Sequence, residues 1–310
     1  MKFGVFLPVS GRAASRVTLM QAAQQAERLG YDSVWSADRI IIPWEIKTTY
    51  PYSKEATFIV PPDRPFFDPL TCLAFLAGCT EKVMLGMSVM VLPYRHPLYW
   101  AKIATTIDQL STGRLLMGVG VGWMQEEFNA MGAPFKERGQ VSDEQLRLLE
   151  KLWTDEHITF HGDHYNVDDI AFSPKPFQKP RIPIWVGGEG KLAQRRAAKY
   201  GDAWFPYFVR ITPAELASRF EYVRQSAREA GRDADQIAFA CCLPIELTAK
   251  DAPQEEDYLK GSIAQVTEAL KKFKNIGVSH IGLQFMIPHY PERQEQIERF
   301  AREALPVLRG

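Results

Sequence analysis

The feature that most constrains this chain is an alternation. Short, largely apolar runs rich in β-branched residues recur along its 310 residues, and each is followed by a longer amphipathic stretch. The runs at 3–7, 33–35, 83–91, 114–119, 182–186 and 202–205, one within 236–247, and 280–285 read as strands. The stretches 18–29, 68–79, 97–110, 141–153, 191–200, 213–230, 262–275 and 292–308 read as helices. Gly30, Gly231 and Gly277 supply helix stops, and Asp68 before Pro69 supplies a start. The strand runs are apolar on both faces, as parallel strands covered on both sides must be. Eight such βα units in more than about 250 residues predict a (β/α)8 TIM barrel. A doubly wound sheet usually shows a Gly-rich turn after its first strand. Here that turn, Pro8 to Arg12, holds Gly11 alone.

Two segments are too long for ordinary barrel loops. One is 39–65, after strand two; the other is 155–181, before strand five, with a short hairpin expected over 158–165. No linker, repeat or low-complexity tract separates them from the rest. All of 1–310 is therefore expected to be one barrel domain with two insertions, the first a mobile lid. Thirty-seven basic residues balance 37 acidic ones, a net charge of zero. That gives no general attraction to nucleic acid or to an anionic membrane. The N-terminal apolar stretch is broken at Pro8, too short for a signal sequence, and no apolar run reaches membrane-spanning length. A cytoplasmic enzyme is the expectation. Four cysteines are too few for a disulfide framework. Cys72 and Cys79 are expected on one face of a helix, Cys241 and Cys242 on opposite faces of a strand.

In a barrel the chemistry sits at the C-terminal ends of the strands. The residues expected there are aromatic, glycine-rich and modestly charged, which suits a flat, partly apolar ligand with a polar tail. Gly187-Gly188-Glu189-Gly190 ends a strand and opens a helix. It is either a phosphate cradle, with Glu189 turned away from the anion, or a tight turn that needs glycine for conformation. Gly118-Val119-Gly120-Val121-Gly122-Trp123 lacks the third glycine of a dinucleotide fingerprint and reads as a strand that lets a ring or backbone come close. His157, His161 and His164 fall in the hairpin and are read as exposed loop residues, so no metal centre is expected. His96, before Pro97, is either a helix cap or a rim group. Asp38-Arg39 is either a local ion pair or a ligand-binding pair. Trp44, Tyr50, Tyr52, Phe58, Trp123, Trp204 and Tyr207 suggest an apolar or aromatic pocket, though each also suits a core.

Taken together, Gly30-Tyr31-Asp32-Ser33-Val34-Trp35, Phe67-Asp68-Pro69-Leu70, Leu85 to Val89, Leu92 to Pro97, Asp108 to Arg114, Gly118 to Trp123, Pro183 to Gly188 and Gly201 to Trp204 carry a resemblance that covers the whole chain. It resembles the bacterial luciferase-like superfamily of flavin- and deazaflavin-dependent oxidoreductases, nearest the coenzyme F420-dependent subgroup. The resemblance implies a luciferase-like TIM barrel with the cofactor ring in its mouth. It implies a non-prolyl cis peptide at Ser88-Val89 supporting the ring, with Asp38 near the ring's polar edge. Gly187, Gly188, Glu189 and Gly190 would meet the cofactor phosphate. The implied reaction is hydride transfer between F420 and a small apolar or aromatic substrate; the alternative is FMN-dependent monooxygenation. A homodimer is implied. Two departures stand out. Asp38 is followed by Arg39, where many F420 members have histidine. Trp123 stands where the sugar-phosphate dehydrogenase branch carries its acid. The proton donor is left among His96, Asp38 and Glu126.

Overall fold

The computed structural model describes residues 1–52, 58, 60–207, 212–253 and 259–310. Its chain order begins β1 (Lys2–Phe6), α1 (Arg16–Arg28), β2 (Ser33–Ser36), α2 (Pro69–Ala77), β3 (Met84–Met87), β4 (Met90–Val91) and α3 (Pro97–Leu110). It continues with β5 (Leu115–Gly120), α4 (Gln125–Ala130), α5 (Arg138–Thr154) and a hairpin of β6 (Ile158–His161) and β7 (Asn166–Ile170). Then come β8 (Ile184–Val186), α6 (Lys191–Tyr200), β9 (Ala203–Trp204), α7 (Pro213–Glu229), β10 (Ala238–Leu247) and β11 (Leu259–Gly261). The chain ends with α8 (Ile263–Asn275), β12 (His280–Phe285), α9 (Tyr290–Glu303) and α10 (Leu305–Arg309).

The sheet closes on itself. β1, β2, β3 with β4, β5, β8, β9, β10 and β12 pair in parallel, and β12 pairs back to β1. This is the expected eight-strand barrel, sheathed by helices. Helix starts follow local chemistry: the side chains of Ser15, Asp68, Thr212 and Ser262 each accept a backbone N–H three residues on.

Two cores result. One lies between strands and helices; the other fills the barrel and is built on Trp35, Leu116, Trp185, Phe205 and Cys242. Trp35 fits because its neighbours Gly4 and Gly86 present no side chain. A Cβ on either would lie 2.3 Å from the indole. Cys241 packs in the outer core and Cys242 in the inner one, the opposite faces expected of strand neighbours.

The structure departs from expectation in local places. The run 83–91 is not one strand: it leaves the ladder at Ser88-Val89, whose peptide is cis, and resumes as β4. The last helix breaks at Ala304, because Pro306 has no N–H to continue the hydrogen-bond ladder. Cys79 lies beyond α2, past the Gly78 cap, and so does not share a helix face with Cys72. The lid expectation for 39–65 falls in part on 53–57 and 59, outside the described residues. Among the described residues, no helix is long and apolar enough to cross a membrane.

Candidate active site

Asp38 and Arg39 leave β2 as neighbours but do not pair with each other. Asp38 is buried. Its carboxylate accepts the Val91 N–H at 2.9 Å and both terminal nitrogens of Arg95, at 2.7 and 2.8 Å. Arg95 also reaches Asp68 at 3.0 Å. Burial alone would favour a neutral Arg95, but the hydrogen bonds and charges of Asp38 and Asp68 outweigh it and hold the guanidinium charged. Asp38 therefore fastens the segment just after the cis peptide. Arg39 turns the other way, to the buried Glu127. Glu127 also accepts the Tyr94 hydroxyl at 2.8 Å and the N–H groups of Ile40 and Ile41 at 2.7 and 3.2 Å. The Arg39 guanidinium lies over the rings of Phe58 and Trp123, 4.9 and 5.2 Å from their centroids.

The other proton-donor candidates are not gathered with Asp38. Glu126 accepts from Lys47 N, Thr48 N and Thr48 Oγ1 at 2.7–2.9 Å, tying down the first insertion. Burial would raise its pKa, but these hydrogen bonds outweigh that and hold it below the ordinary carboxylate range. His96 is exposed at the N-cap of α3, makes no side-chain cap, and sets its ring edge-on to Tyr165 of the hairpin, 5.4 Å away. The hairpin histidines do not converge: His157 pairs with Asp169, His161 with Asp168 and His164 with Glu137. Among the described residues, no cluster of three or more His, Cys, Asp or Glu side chains is arranged to hold a metal.

At the centre of the mouth is the Ser88-Val89 step. Ser88 Oγ lies 3.3 Å from Cys242 Sγ. A Cβ at Gly118 would fall 1.7 Å from the Met87 carbonyl, and one at Gly120 would fall 2.6 Å from Val89. These glycines make room for the protein's own bulge. Of the two readings of the 118–123 run, a close approach of ring or of backbone, the backbone reading is the one Gly118 carries. Gly187 serves the same bulge, its Cβ position being 2.9 Å from Val89.

The turn after β8 is different. Gly188 adopts φ +97°, a left-handed conformation that favours glycine, and Trp204 Nε1 holds its carbonyl at 2.9 Å. Gly190 caps α6, and nothing lies within 4 Å of where its Cβ would be. A Cβ on Gly188 would meet Ala193 at 2.9 Å, so the space among the described residues is at Gly190, where the start of α6 has no side-chain cap. Glu189 is not turned out to solvent. Its Oε1 is buried without a hydrogen-bond partner, and burial pushes its pKa up to about 8.

Five of the seven aromatic candidates meet over the mouth. Ring centroids of Tyr50 lie 5.5 Å from Tyr52, 5.5 Å from Phe58 and 5.0 Å from Trp123. Tyr52 lies 5.2 Å from Tyr207, whose hydroxyl donates to Gln284. Burial raises the Tyr50 hydroxyl to about 12 and the Tyr52 and Tyr207 hydroxyls further, so all three are neutral donors. Trp44 is 85% exposed, and Trp204 belongs to the outer core against Phe220 and Phe239. Sequence reading missed Arg95 and Glu127, which hold the site without facing a ligand, and Cys242, an unremarkable strand residue until the barrel closes. A cavity of about 420 Å³ at the opposite end, lined by Lys2, Lys82, Trp185 and His280, lies on the floor of the barrel, away from the strand ends that carry chemistry.

A closed parallel barrel with aromatic side chains over a bulged third strand defines the class of fold. Comparison with known proteins narrows the class. The luciferase-like monooxygenase family profile matches residues 1–304. An uncharacterised Mycobacterium tuberculosis protein is 33% identical over 210 residues, covering 68% of this chain and 71% of its own. The FMNH2-dependent dimethylsulfone monooxygenase of Pseudomonas putida is 29% identical, covering 76% of each chain. Among solved structures, an F420-dependent secondary alcohol dehydrogenase with an F420-acetone adduct superposes at a TM-score of 0.80 and 20% identity, covering 100% of this chain and 99% of its own. The chain belongs to the luciferase-like monooxygenase family, and it is an oxidoreductase or monooxygenase of that superfamily.

The residues present fit the flavin or deazaflavin cofactors of this superfamily. The uncapped start of α6 at Gly190 suits a phosphate, and the aromatic mouth suits a ring. Ser36 Oγ at the end of β2 and Glu189 Oε1 are buried polar atoms still lacking partners.

Proposed function

We propose that this enzyme transfers a hydride between coenzyme F420 and a small, uncharged, apolar or aromatic substrate at the C-terminal mouth of the barrel. The observation that carries the reading is a mouth that is aromatic and, among the described residues, without free charge. Tyr50, Tyr52, Phe58, Trp123 and Tyr207 supply its surface, and Glu127 neutralises its arginine. A charged substrate would enter such a mouth only at a desolvation cost.

Asp38, through Val91 and Arg95, steadies the Ser88-Val89 bulge on which the ring would rest. Backbone N–H groups after Gly188 and Gly190 would hold the phosphate, so no basic surface is required. Tyr50 and Tyr52 would shield the ring from water. Bound there, F420 would give or take a hydride, whereas reduced FMN would supply the electrons for oxygenation by O2. The second reading, FMN-dependent monooxygenation, is favoured by the 29% identity to an FMNH2-dependent monooxygenase. His96 and Glu126 take no direct part in either scheme. The homodimer and the cytoplasmic location remain part of this proposal.

Titration with F420 and FMN, oxidised and reduced, separates the two readings by the quenching of cofactor fluorescence. Binding of F420 with no saturable binding of FMN is the expected result. The reverse preference would establish the monooxygenase reading instead.

A further inference from the structure

Three buried polar atoms near the mouth lack partners among the described residues: Ser36 Oγ, Arg39 Nε and Glu189 Oε1. The Arg39 nitrogen is stacked beneath Phe58 and Trp123 and its charge is met by Glu127. Ser36 is a hydroxyl, too weak an acid to transfer its proton at neutral pH. Glu189 is the group whose chemistry is unused.

Its place is set from both sides. The Glu189 carbonyl accepts from Gln194 Nε2 at 2.6 Å and from Arg219 at 3.5 Å, which fixes the backbone. The side chain is left to project from the end of β8. The groups that feel its charge are Tyr50 and Tyr52 of the first insertion, Cys242 of β10 and Arg219 of α7. Arg219 is the one cation among them, and its Nη2 is engaged by Glu215 at 2.6 Å. The thiol of Cys242 in turn touches Ser88 at the cis bulge. A carboxyl so placed has a low-dielectric setting, its own backbone N–H and the Arg219 charge as the groups that favour its anion, and one oxygen, Oε1, without a partner among the described residues. Burial outweighs its own backbone N–H and Arg219 and keeps it in the acid form at neutral pH.

We propose that Glu189 is the proton donor of this site and that the substrate it serves is a carbonyl compound. The proposal rests on the hydride-transfer reading above. As hydride from the reduced deazaflavin bonds to the carbonyl carbon, the C=O π pair takes the Glu189 proton. The carbonyl is reduced by two electrons to an alcohol, and the cofactor is oxidised by the same two. Glu189 is left as a carboxylate and regains its proton from solvent. The acid that the resemblance would place after β5, where Trp123 stands, is thereby supplied from β8, the strand paired with β5.

The test uses the full-length protein and Glu189→Gln, which keeps size and polarity but has no titratable proton. The first measurement is the infrared difference spectrum of the two proteins at pH 6.5 and pH 10, with and without F420. A carboxylic-acid C=O band belonging to Glu189 at pH 6.5, replaced by carboxylate bands at pH 10, is expected; a carboxylate at pH 6.5 would overturn the proposal. The second is the oxidation of reduced F420 by cyclohexanone and acetophenone. Glu189→Gln should bind F420 within about twofold of wild type while kcat falls at least about 100-fold. Wild-type kcat should fall on the alkaline side of the Glu189 titration, and this limb should vanish in the variant. Equal rates in the two proteins would overturn the role of Glu189 and leave the cofactor reading standing. A wild type that binds F420 but reduces neither ketone would overturn the carbonyl substrate class. A wild type that does not bind F420 would overturn the underlying reading.

Discussion

Asp38 shows how a correct residue can be given the wrong neighbour. Adjacent in sequence, Asp38 and Arg39 invite pairing, but successive extended residues project to opposite sides. Asp38 therefore goes to Arg95 and Val91, while Arg39 goes to Glu127. All three partners lie more than 50 positions away, and no local pattern marks them. What the sequence made legible was residue type at the strand ends: an acid after β2, small residues around β5, glycines after β8. The unread part was which of these face the ligand and which face the protein's own bulge. Asp38→Asn tests the bracing role. It leaves the mostly buried Arg95 with Asp68 alone, so stability should fall by about 3 kcal/mol, the lower part of the range for a broken buried pair. Urea denaturation gives that figure, and F420 affinity should fall with it. A loss below about 1 kcal/mol would mean that Asp38 is not bracing the bulge.

Among the elements, α4 has the largest effect for its size. It has six residues, too few to show a helical period, and so went unseen. Its first turn presents Glu126 and Glu127, and each accepts N–H groups from the first insertion: Lys47 and Thr48 on one, Ile40 and Ile41 on the other. The longer elements were legible because amphipathic period and capping agree, as in α2, where Asp68 caps and Pro69 leads. The break in the third strand was not, since its apolar run continues across Ser88 and Val89. The two tethers should differ in energy. Glu127→Gln strands a buried Arg39 and should cost about 3–5 kcal/mol. Glu126→Gln acts at the surface and should cost under about 1 kcal/mol. Hydrogen exchange should quicken at Ile40 and Ile41 in the first variant and at Lys47 and Thr48 in the second. Unchanged exchange at those amides would mean that the insertion is held by its aromatic residues instead.

At the scale of the molecule, the alternation gave away the barrel but not how it closes. Closure depends on register between the first strand and the last, which no local pattern encodes. In the structure Lys2 pairs with His280 and Gly4 with Ser33, so β1 lies between β12 and β2. His280, which looked like an ordinary strand start, bonds across to Ser33 Oγ at 2.8 Å and sets its ring against Trp35 and Trp185. It is 4% exposed. Burial pushes its pKa down to about 3, with Lys2 and the N-terminal amino group reinforcing the shift and Asp32 opposing it. The folded protein thus refuses a proton that the unfolded chain accepts near pH 6.5. Between those values the unfolded state binds more protons, so stability falls as pH is lowered, by about 1.4 kcal/mol per unit for one site. The contribution is fully present above about pH 6.5 and fades toward about pH 3. Ordinary carboxylates begin to titrate below about pH 5, and Glu189, raised to about 8, contributes equally to wild type and variant, so the two are compared between pH 7.5 and 5.0. Across it wild type should lose about 2 kcal/mol from this site. His280→Gln keeps a polar group toward Ser33 but cannot titrate. It should be less stable at pH 7.5 and should lose about 2 kcal/mol less on acidification. Urea denaturation of both proteins at the two pH values gives the difference, and parallel losses would show that the floor of the barrel admits a protonated histidine.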